Sequence, residues 1–257
     1  MIYFLGDVHG QIDHVLPALR VRQDTAAHVV FLGDIDSNRP FEEEIRPLID
    51  AGISVWFIHG NHDTDSRENW ENLQGSAHRN LSGRVVEIEG VRVAGLGGIF
   101  RGEVWHPYSP ANIENSPRLR NYDDYINWLK SKTPPRQHAS VKNTNNALKH
   151  LSTIFPDGYD QLADQRADIL VTHEAPSCHP HGFELIDILA QSMGVKLVFH
   201  GHHHDSLNYQ AWESKLGFRA HGVGYRGITD MQGVRVLAGY FDEARSERTS
   251  RSDVKCP

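Results

Sequence analysis

The sequence predicts an α/β protein, and three observations carry that prediction. Strand-like and helix-like patterns alternate through the first hundred residues, apolar runs end repeatedly in short polar clusters, and one hairpin-like pair interrupts the parallel order. The clusters are Gly6-Asp7-Val8-His9-Gly10, Gly33-Asp34, Gly60-Asn61-His62-Asp63, Thr172-His173-Glu174 and Gly201-His202-His203-His204. Each follows a run that reads as a buried strand: Ile2 to Leu5, Val29 to Leu32, Val55 to His59, Ile169 to Val171 and Leu197 to His200. Open α/β sheets build their sites at strand carboxyl ends, so five clusters in that position predict one shared pocket.

The elements follow in order. Gln11 to Arg22 places Ile12, Val15, Leu16 and Leu19 at helical spacing, with Pro17 positioned to disturb the helix. Phe41 to Ala51 predicts a second helix, stopped by Gly52. Arg84 to Glu89 and Val91 to Ala94, joined through Glu89-Gly90, predict a hairpin that makes the sheet mixed. From about Phe100 to Gln165 the chain turns rich in Pro, Asn and charge, with an amphipathic stretch at Tyr122 to Leu129 and a helix expected over Asn145 to Phe155. We read it as an excursion: a cap or insertion at about 101–165 on a domain of residues 1–241. Its aromatic residues Trp105, Tyr108, Tyr122, Tyr125 and Trp128 favour an ordered cap packed on the core. Strand signals return at Asp168 to Thr172, Lys196 to His200, Phe218 to Ala220 and Gly233 to Tyr240, with a helix at Phe183 to Met193. Residues 242–257 are polar and unpatterned, the signature of a disordered tail.

Composition narrows the class. A chain of 257 residues can bury one core without splitting. The formal charge of −7 argues against an anionic-membrane partner and against long nucleic acid. Cys178 and Cys256 lack metal-type spacing and suggest no disulfide framework; no apolar run approaches the ~20 residues of a membrane span, and no basic leader precedes the first strand. The expectation is a cytoplasmic enzyme. Histidine stands out at 17 residues, and imidazole is the commonest metal ligand.

The clusters have the chemistry of a two-metal site. Asp7 and His9, two apart on an extended strand end, would share a face and grip one ion. Asp34 has two oxygens and can bridge to a second ion about 3.5–4 Å away. His202 and His204 repeat the spacing of two and give one imidazole to each ion, while Asn61 adds a neutral oxygen and His173 a nitrogen. Oxygens and imidazoles without thiolates suit two divalent ions, manganese first, with iron, zinc, cobalt or nickel as alternatives. The count leaves coordination positions open, as catalysis requires.

In this order the residues resemble the calcineurin-like metallophosphoesterases, whose pattern runs Asp-x-His, Gly-Asp, Gly-Asn-His-Asp/Glu, a lone His, then Gly-His-x-His. All five blocks are present between Asp7 and His204, with 27 residues from Asp7 to Asp34 and 27 from Asp34 to Asn61. The resemblance implies a four-layer α/β/β/α sandwich of two mixed sheets flanked by helices. It places Asp7, His9, Asp34 and His204 on one metal and Asp34, Asn61, His173 and His202 on the other. His62 takes the position that approaches the phosphate and assists the leaving group. The implied reaction is hydrolysis of a phosphomonoester or phosphodiester by a metal-bridging hydroxide. A nuclease of the same superfamily and a metal-bearing scaffold without catalysis are the alternatives.

Other residues are weighed against simpler roles. Gly-Asp and Gly-Asn are common turn formers, and only the ordered set lifts Asp34 and Asn61 above that reading. His59 and His200 read as hydrogen-bonded structural histidines, and His203 should face away from the metals. His179, His181 and His221 divide evenly between surface and substrate contact. Asp63 is a lesser candidate for orienting a neighbour. Phosphoprotein phosphatases carry an Arg four residues after the bridging Asp; Asn38 stands there, followed by Arg39. Arg39 and Arg101 are the candidates for substrate contact, and the substrate reads as a phosphorylated small molecule, nucleotide or phosphoprotein. Arg118 to Lys149 holds seven Lys or Arg against two Asp, a net of +5 that is either a solvated face or an attractor of polyanions.

Overall fold

The computed structural model describes residues 1–21, 27–105 and 119–244. Within them two five-stranded sheets face each other. The first has the order β10-β9-β1-β2-β3, from β1 (Ile2–Leu5), β2 (His28–Phe31), β3 (Ser54–Phe57), β9 (Ile228–Asp230) and β10 (Arg235–Leu237). The second has the order β4-β5-β6-β7-β8, from β4 (Val85–Ile88), β5 (Val91–Leu96), β6 (Ile169–Thr172), β7 (Leu197–His200) and β8 (Arg219–Gly222). Parallel pairs β1/β2/β3 and β5/β6/β7/β8 form the centres, and antiparallel strands β9, β10 and β4 make both sheets mixed.

Strand periodicity explains the layers. On β1, Phe4 points between the sheets and stacks on Phe199 with ring centres 3.7 Å apart, beside Val30, Val93 and Val171. Tyr3 and Leu5 point outward, where Val29, Phe31 and Phe57 pack under Leu19, Phe41, Ile45 and Leu48. On the opposite outer face Leu170 and Val198 pack under Ile186, Leu189 and Met193 of helix Glu184–Met193 and under Leu162 of helix Pro156–Ala163. The four layers are those the sequence resemblance implies.

Several boundaries differ from the sequence reading. The first helix begins at Val15, which puts Pro17 in its first turn, where a missing N–H breaks no helical bond. The second divides into Phe41–Glu44 and Arg46–Asp50 where Ile45 takes φ −83° and ψ 0°. The helix expected to Phe155 stops at Lys149; His150–Ser152 is a 3₁₀ turn, and Thr153 bridges to Ile99. What reads as one strand at Gly233 to Tyr240 is the second arm of the β9–β10 hairpin. The β4–β5 hairpin turns through Glu89 and Gly90, both at positive φ, as a two-residue loop requires.

Residues of the excursion form a small core of their own from Val104, Leu119, Tyr125, Ile126, Val141 and Ala147. Trp105 joins it to the main body, edge-on to Phe100 at 5.3 Å and to Tyr159 at 5.4 Å. Tyr108 and Arg118 lie outside the described residues, as do residues 245–257 of the tail. Asp242, the tail's first residue, is buried and accepts from Ser206 Oγ and the Gly239 N–H. Among the described residues no helix is long and apolar enough to cross a membrane.

Candidate metal centre

All five clusters follow the carboxyl ends of their strands: three from the first sheet after β1, β2 and β3, two from the second after β6 and β7. The centre therefore lies where the two sheets present their strand ends together. Two groups of ligand atoms form there, each within 4.8 Å of one another: Asp7, His9, Asp34 and His204, and Asp34, His173 and His202. Asn61 Oδ1 joins the second, 3.1 Å from His173 Nε2. Asp34 belongs to both.

The convergence is not that of a straight strand end. His9, Asp34, His202 and His204 have φ of 43°, 49°, 70° and 57°. The chain bends into each cluster, so the spacing of two in Asp7/His9 and His202/His204 works through left-handed turns and not through the pleat. Such backbone is costly for non-glycine residues and collects at functional sites. Two glycines let the turns close on one another. Gly33 has φ 100°, and a Cβ on it would strike His173 Nδ1; a Cβ on Gly60 would strike Asp34 Oδ1.

Four of the seven candidate ligands are held by their other end. His173 Nδ1 donates to Leu32 O at 2.8 Å, which turns Nε2 toward Asn61 and toward Asp34 Oδ2 at 3.3 Å. His9 Nδ1 meets Asp36 Oδ2 at 2.6 Å, leaving Nε2 to face His204 Nε2 at 3.3 Å. Metal-bound imidazoles are commonly oriented by such partners. Asp7 Oδ1 accepts the His202 N–H at 3.1 Å and Asp34 Oδ1 the His62 N–H at 2.8 Å. The two Oδ2 atoms are buried without a hydrogen-bond donor, with only imidazole nitrogens nearby: His204 Nε2 lies 3.0 Å from Asp7 Oδ2. Buried carboxylate oxygens and imidazole lone pairs aimed at common points are the donor set a divalent cation satisfies.

The electrostatics agree. Burial works against the Asp34 anion, yet the His173 imidazole beside Oδ2 and the His62 N–H at Oδ1 hold its carboxyl below the usual range. Burial pushes His202 down to about 4, helped by His173, so its ring is neutral with a lone pair free. The hydrogen bond to Asp36 raises His9.

His62 lies at the edge of the centre, its side chain 44% exposed, with Nδ1 2.6 Å from Asp65 Oδ2 and its ring 5.2 Å from that of His9. Partial burial opposes its charged form, but Asp65 and the Asp34 charge outweigh it and raise its pKa. Asp65, not Asp63, is the orienting carboxylate. Asp63 is fully buried and binds backbone instead, accepting the N–H groups of Ile35, Asp36 and Gly60, each at 2.8 Å. It ties the Asp34 turn to the Asn61 turn. Burial and the Asp34 charge push it up to about 7, against the pull of those donors.

The remaining candidates separate. His200 is buried and bonds Tyr209 Oη at 3.1 Å; His59 meets Ser82 Oγ at 3.1 Å. His203 turns from the ligand groups to stack on buried His179 at 3.8 Å, while His181 is exposed and His221 stacks on Phe199. Arg39 is exposed and its guanidinium makes no hydrogen bond or ion pair among the described residues. Arg101 is partly buried and lines a cavity with Asn61 and Asp65. The sequence reading missed Asp36 and Asp65 as orienting carboxylates. Each sits two or three residues after a named site residue, a spacing too common to single out. It also missed Tyr225, whose ring lies 5.5 Å from His9 and 5.0 Å from His204.

The chain is similar to known proteins. An uncharacterized protein of Haemophilus influenzae is 37% identical over 247 residues, covering 95% of this chain and 100% of that one. The crystal structure of TT1561 of Thermus thermophilus overlays with a TM-score of 0.47 at 16% identity, covering 90% of this chain and 94% of that one. The pattern of the calcineurin-like phosphoesterases matches residues 1–206, the stretch that holds both sheets' ligand turns, and the chain belongs to that family.

Proposed function

We propose that this protein is a two-metal phosphoesterase hydrolysing phosphate esters, with Asp7, His9, Asp34 and His204 on one divalent ion and Asp34, Asn61, His173 and His202 on the other. The observation that carries the reading is the shared place of Asp34 in both ligand groups, with a buried Oδ2 that no donor satisfies. When bound, a pair of divalent ions acidifies water and offsets negative charge on the phosphoryl oxygens; manganese is the first candidate on donor type.

The chain's own groups supply the rest. With Nδ1 committed to Asp65, His62 keeps Nε2 for donating a proton to the departing oxygen, and its raised pKa keeps that proton available near neutral pH. Asp36 and Leu32 O fix the tautomers of His9 and His173. The absence of a counterpart to the phosphatase arginine at Asn38 favours small phosphorylated molecules over phosphoproteins. A cytoplasmic setting fits the free, buried thiol of Cys178.

The test is turnover of p-nitrophenyl phosphate and bis-p-nitrophenyl phosphate by chelator-treated protein with single metals restored. Metal-dependent hydrolysis of either supports the reading, and their ratio assigns monoester or diester preference. Two bound metals with no turnover of any ester would leave the scaffold alternative standing.

A further inference from the structure

Beside the metal centre lies a cavity of about 270 Å³ between the Asn61 turn and the short helix Asn145–Lys149 of the excursion. Its charges are unevenly engaged. Asp65 is held by His62 at 2.6 Å, and Lys149 by Glu103 at 2.9 Å. Arg101 makes no ion pair among the described residues, though the charges of Glu103, Asp65 and Glu174 act on it from farther off: Nη2 reaches Ser152 Oγ at 3.3 Å, but Nε is buried without an acceptor. Its position is registered to the ligand turn, because Ser152 Oγ meets Thr64 Oγ1 at 2.7 Å and Thr64 Oγ1 donates to Asn61 O at 3.0 Å.

Asn145 and Asn146 are exposed on the cavity wall, and their amides make no hydrogen bond among the described residues. Among the described residues no aromatic side chain lines the cavity, and Leu148 is the one apolar residue there. A planar group entering it finds no ring to stack on, whereas an anion meets a guanidinium and two amides. Among the described residues the other cations of the excursion do not compete. Arg120 pairs with Asp157 and Asp160, and Lys142 with Asp123, while Lys130, Lys132 and Arg136 do not line the cavity.

Building on the phosphoesterase reading, we propose that this cavity is the leaving-group subsite and selects a compact leaving group bearing a second anion, phosphate or carboxylate, over an aromatic one. His62 ties the cavity to the reaction: its neighbour Asn61 and its partner Asp65 both line it, so a leaving group that extends from the ligand groups past His62 brings its far end to Arg101, which reads the charge there.

Three substrates with matched primary-alkyl leaving groups test this: propyl phosphate, propane-1,3-diyl bisphosphate and 3-phosphonooxypropanoate. Wild type should favour one or both esters that bear a second anionic group over propyl phosphate by about 10-fold or more in kcat/KM, the scale of one charge-assisted contact. Arg101→Gln should abolish that preference and Arg101→Lys retain part of it. Which ester is favoured separates phosphate from carboxylate. No preference in wild type, or one that survives Arg101→Gln, overturns the proposal. Should Arg101→Gln fail to fold, Asn146→Asp places a repelling charge in the same cavity and should erode the preference likewise. Should none of the esters be hydrolysed with any metal, it is the phosphoesterase reading that fails. The cavity is then judged by calorimetric titration of chelator-treated protein with propane-1,3-diyl bisphosphonate. Binding weakened about 5-fold or more by Arg101→Gln supports it, and equal or absent binding overturns it.

Discussion

Asp63→Ala should destabilise the protein by about 3–6 kcal/mol, because it strands two buried N–H donors and one partly buried at ~1–3 kcal/mol each, less what an entering water recovers. The donors are those of Ile35, Asp36 and Gly60, each 2.8 Å from a carboxylate oxygen of a residue that is 0% exposed. Asp63→Asn is the informative companion. Its single carbonyl oxygen can take the Ile35 and Asp36 donors from Oδ1, but its NH₂ then opposes the Gly60 N–H, for a loss of about 1–3 kcal/mol. Urea unfolding of chelator-treated protein gives both values without metal linkage, and unchanged m-values would show that the denatured state is unaffected. The order wild type, Asn, Ala is the expected result. An Ala variant within about 1 kcal/mol of wild type would refute the view that Asp63 ties the ligand turns together.

Three further outcomes follow. Asp34→Asn should lose both metals in elemental analysis of the purified protein, since the residue belongs to both ligand groups; two equivalents bound at wild-type affinity would remove its bridging role. His62→Ala should cut turnover by roughly 10²–10⁴ with metal content near normal, and the loss should shrink for good leaving groups; equal losses on p-nitrophenyl and alkyl phosphates would point to phosphate binding instead of proton donation. Burial lowers the His150 imidazole from 6.5 to about 4, so the unfolded chain binds the extra proton between those values, and stability should fall as pH drops through that window by up to about 3 kcal/mol. His150→Asn should flatten that slope in urea titrations at pH 7, 5.5 and 4.5, and parallel slopes would mean the folded ring is already charged.

Much of this centre is legible in the chain because metal ligands must be of a few residue types and must follow strand ends. Asp7, His9, Asp34, Asn61, His173, His202 and His204 obey both constraints, and the structure gathers all seven. The layers are legible for a similar reason: buried parallel strands such as Val29–Phe31 and Ile169–Val171 carry continuous apolar runs. What escaped was set by tertiary contact. Asp36, Asp63 and Asp65 are three carboxylates within 30 residues that read alike, yet one orients His9, one binds three backbone amides and one holds His62. Nothing local distinguishes them. The charge of the excursion could not be read from the segment alone. Arg120 and Lys149 are neutralised by Asp157, Asp160 and Glu103 from beyond the counted segment, Lys142 is neutralised by Asp123 within it, and Arg118 lies outside the described residues.

The two carboxylates at the heart of the centre each divide their oxygens between two tasks. Oδ1 of Asp7 and Oδ1 of Asp34 accept backbone N–H groups from the next ligand turns, His202 and His62, while both Oδ2 atoms are left to the imidazoles. The left-handed residues explain why the division is needed. His9, Asp34, Asp36, His202 and His204 each hold a backbone conformation costing ~1–2 kcal/mol, which persists only where surrounding bonds over-determine it. Those bonds come from Asp7 and Asp34, which would bind metal, and from Asp63, which would not, so two of the three carboxylates that brace the turns are also those that would hold the ions. A carboxylate spending both oxygens on backbone would leave the ions unsatisfied, and one spending both on ions would release the strained turns. Either failure would scatter the ligands, and for that reason an amide at position 34 tests more than charge: its carbonyl can keep the His62 N–H while its NH₂ is turned on the imidazoles, separating the bracing task from the binding one.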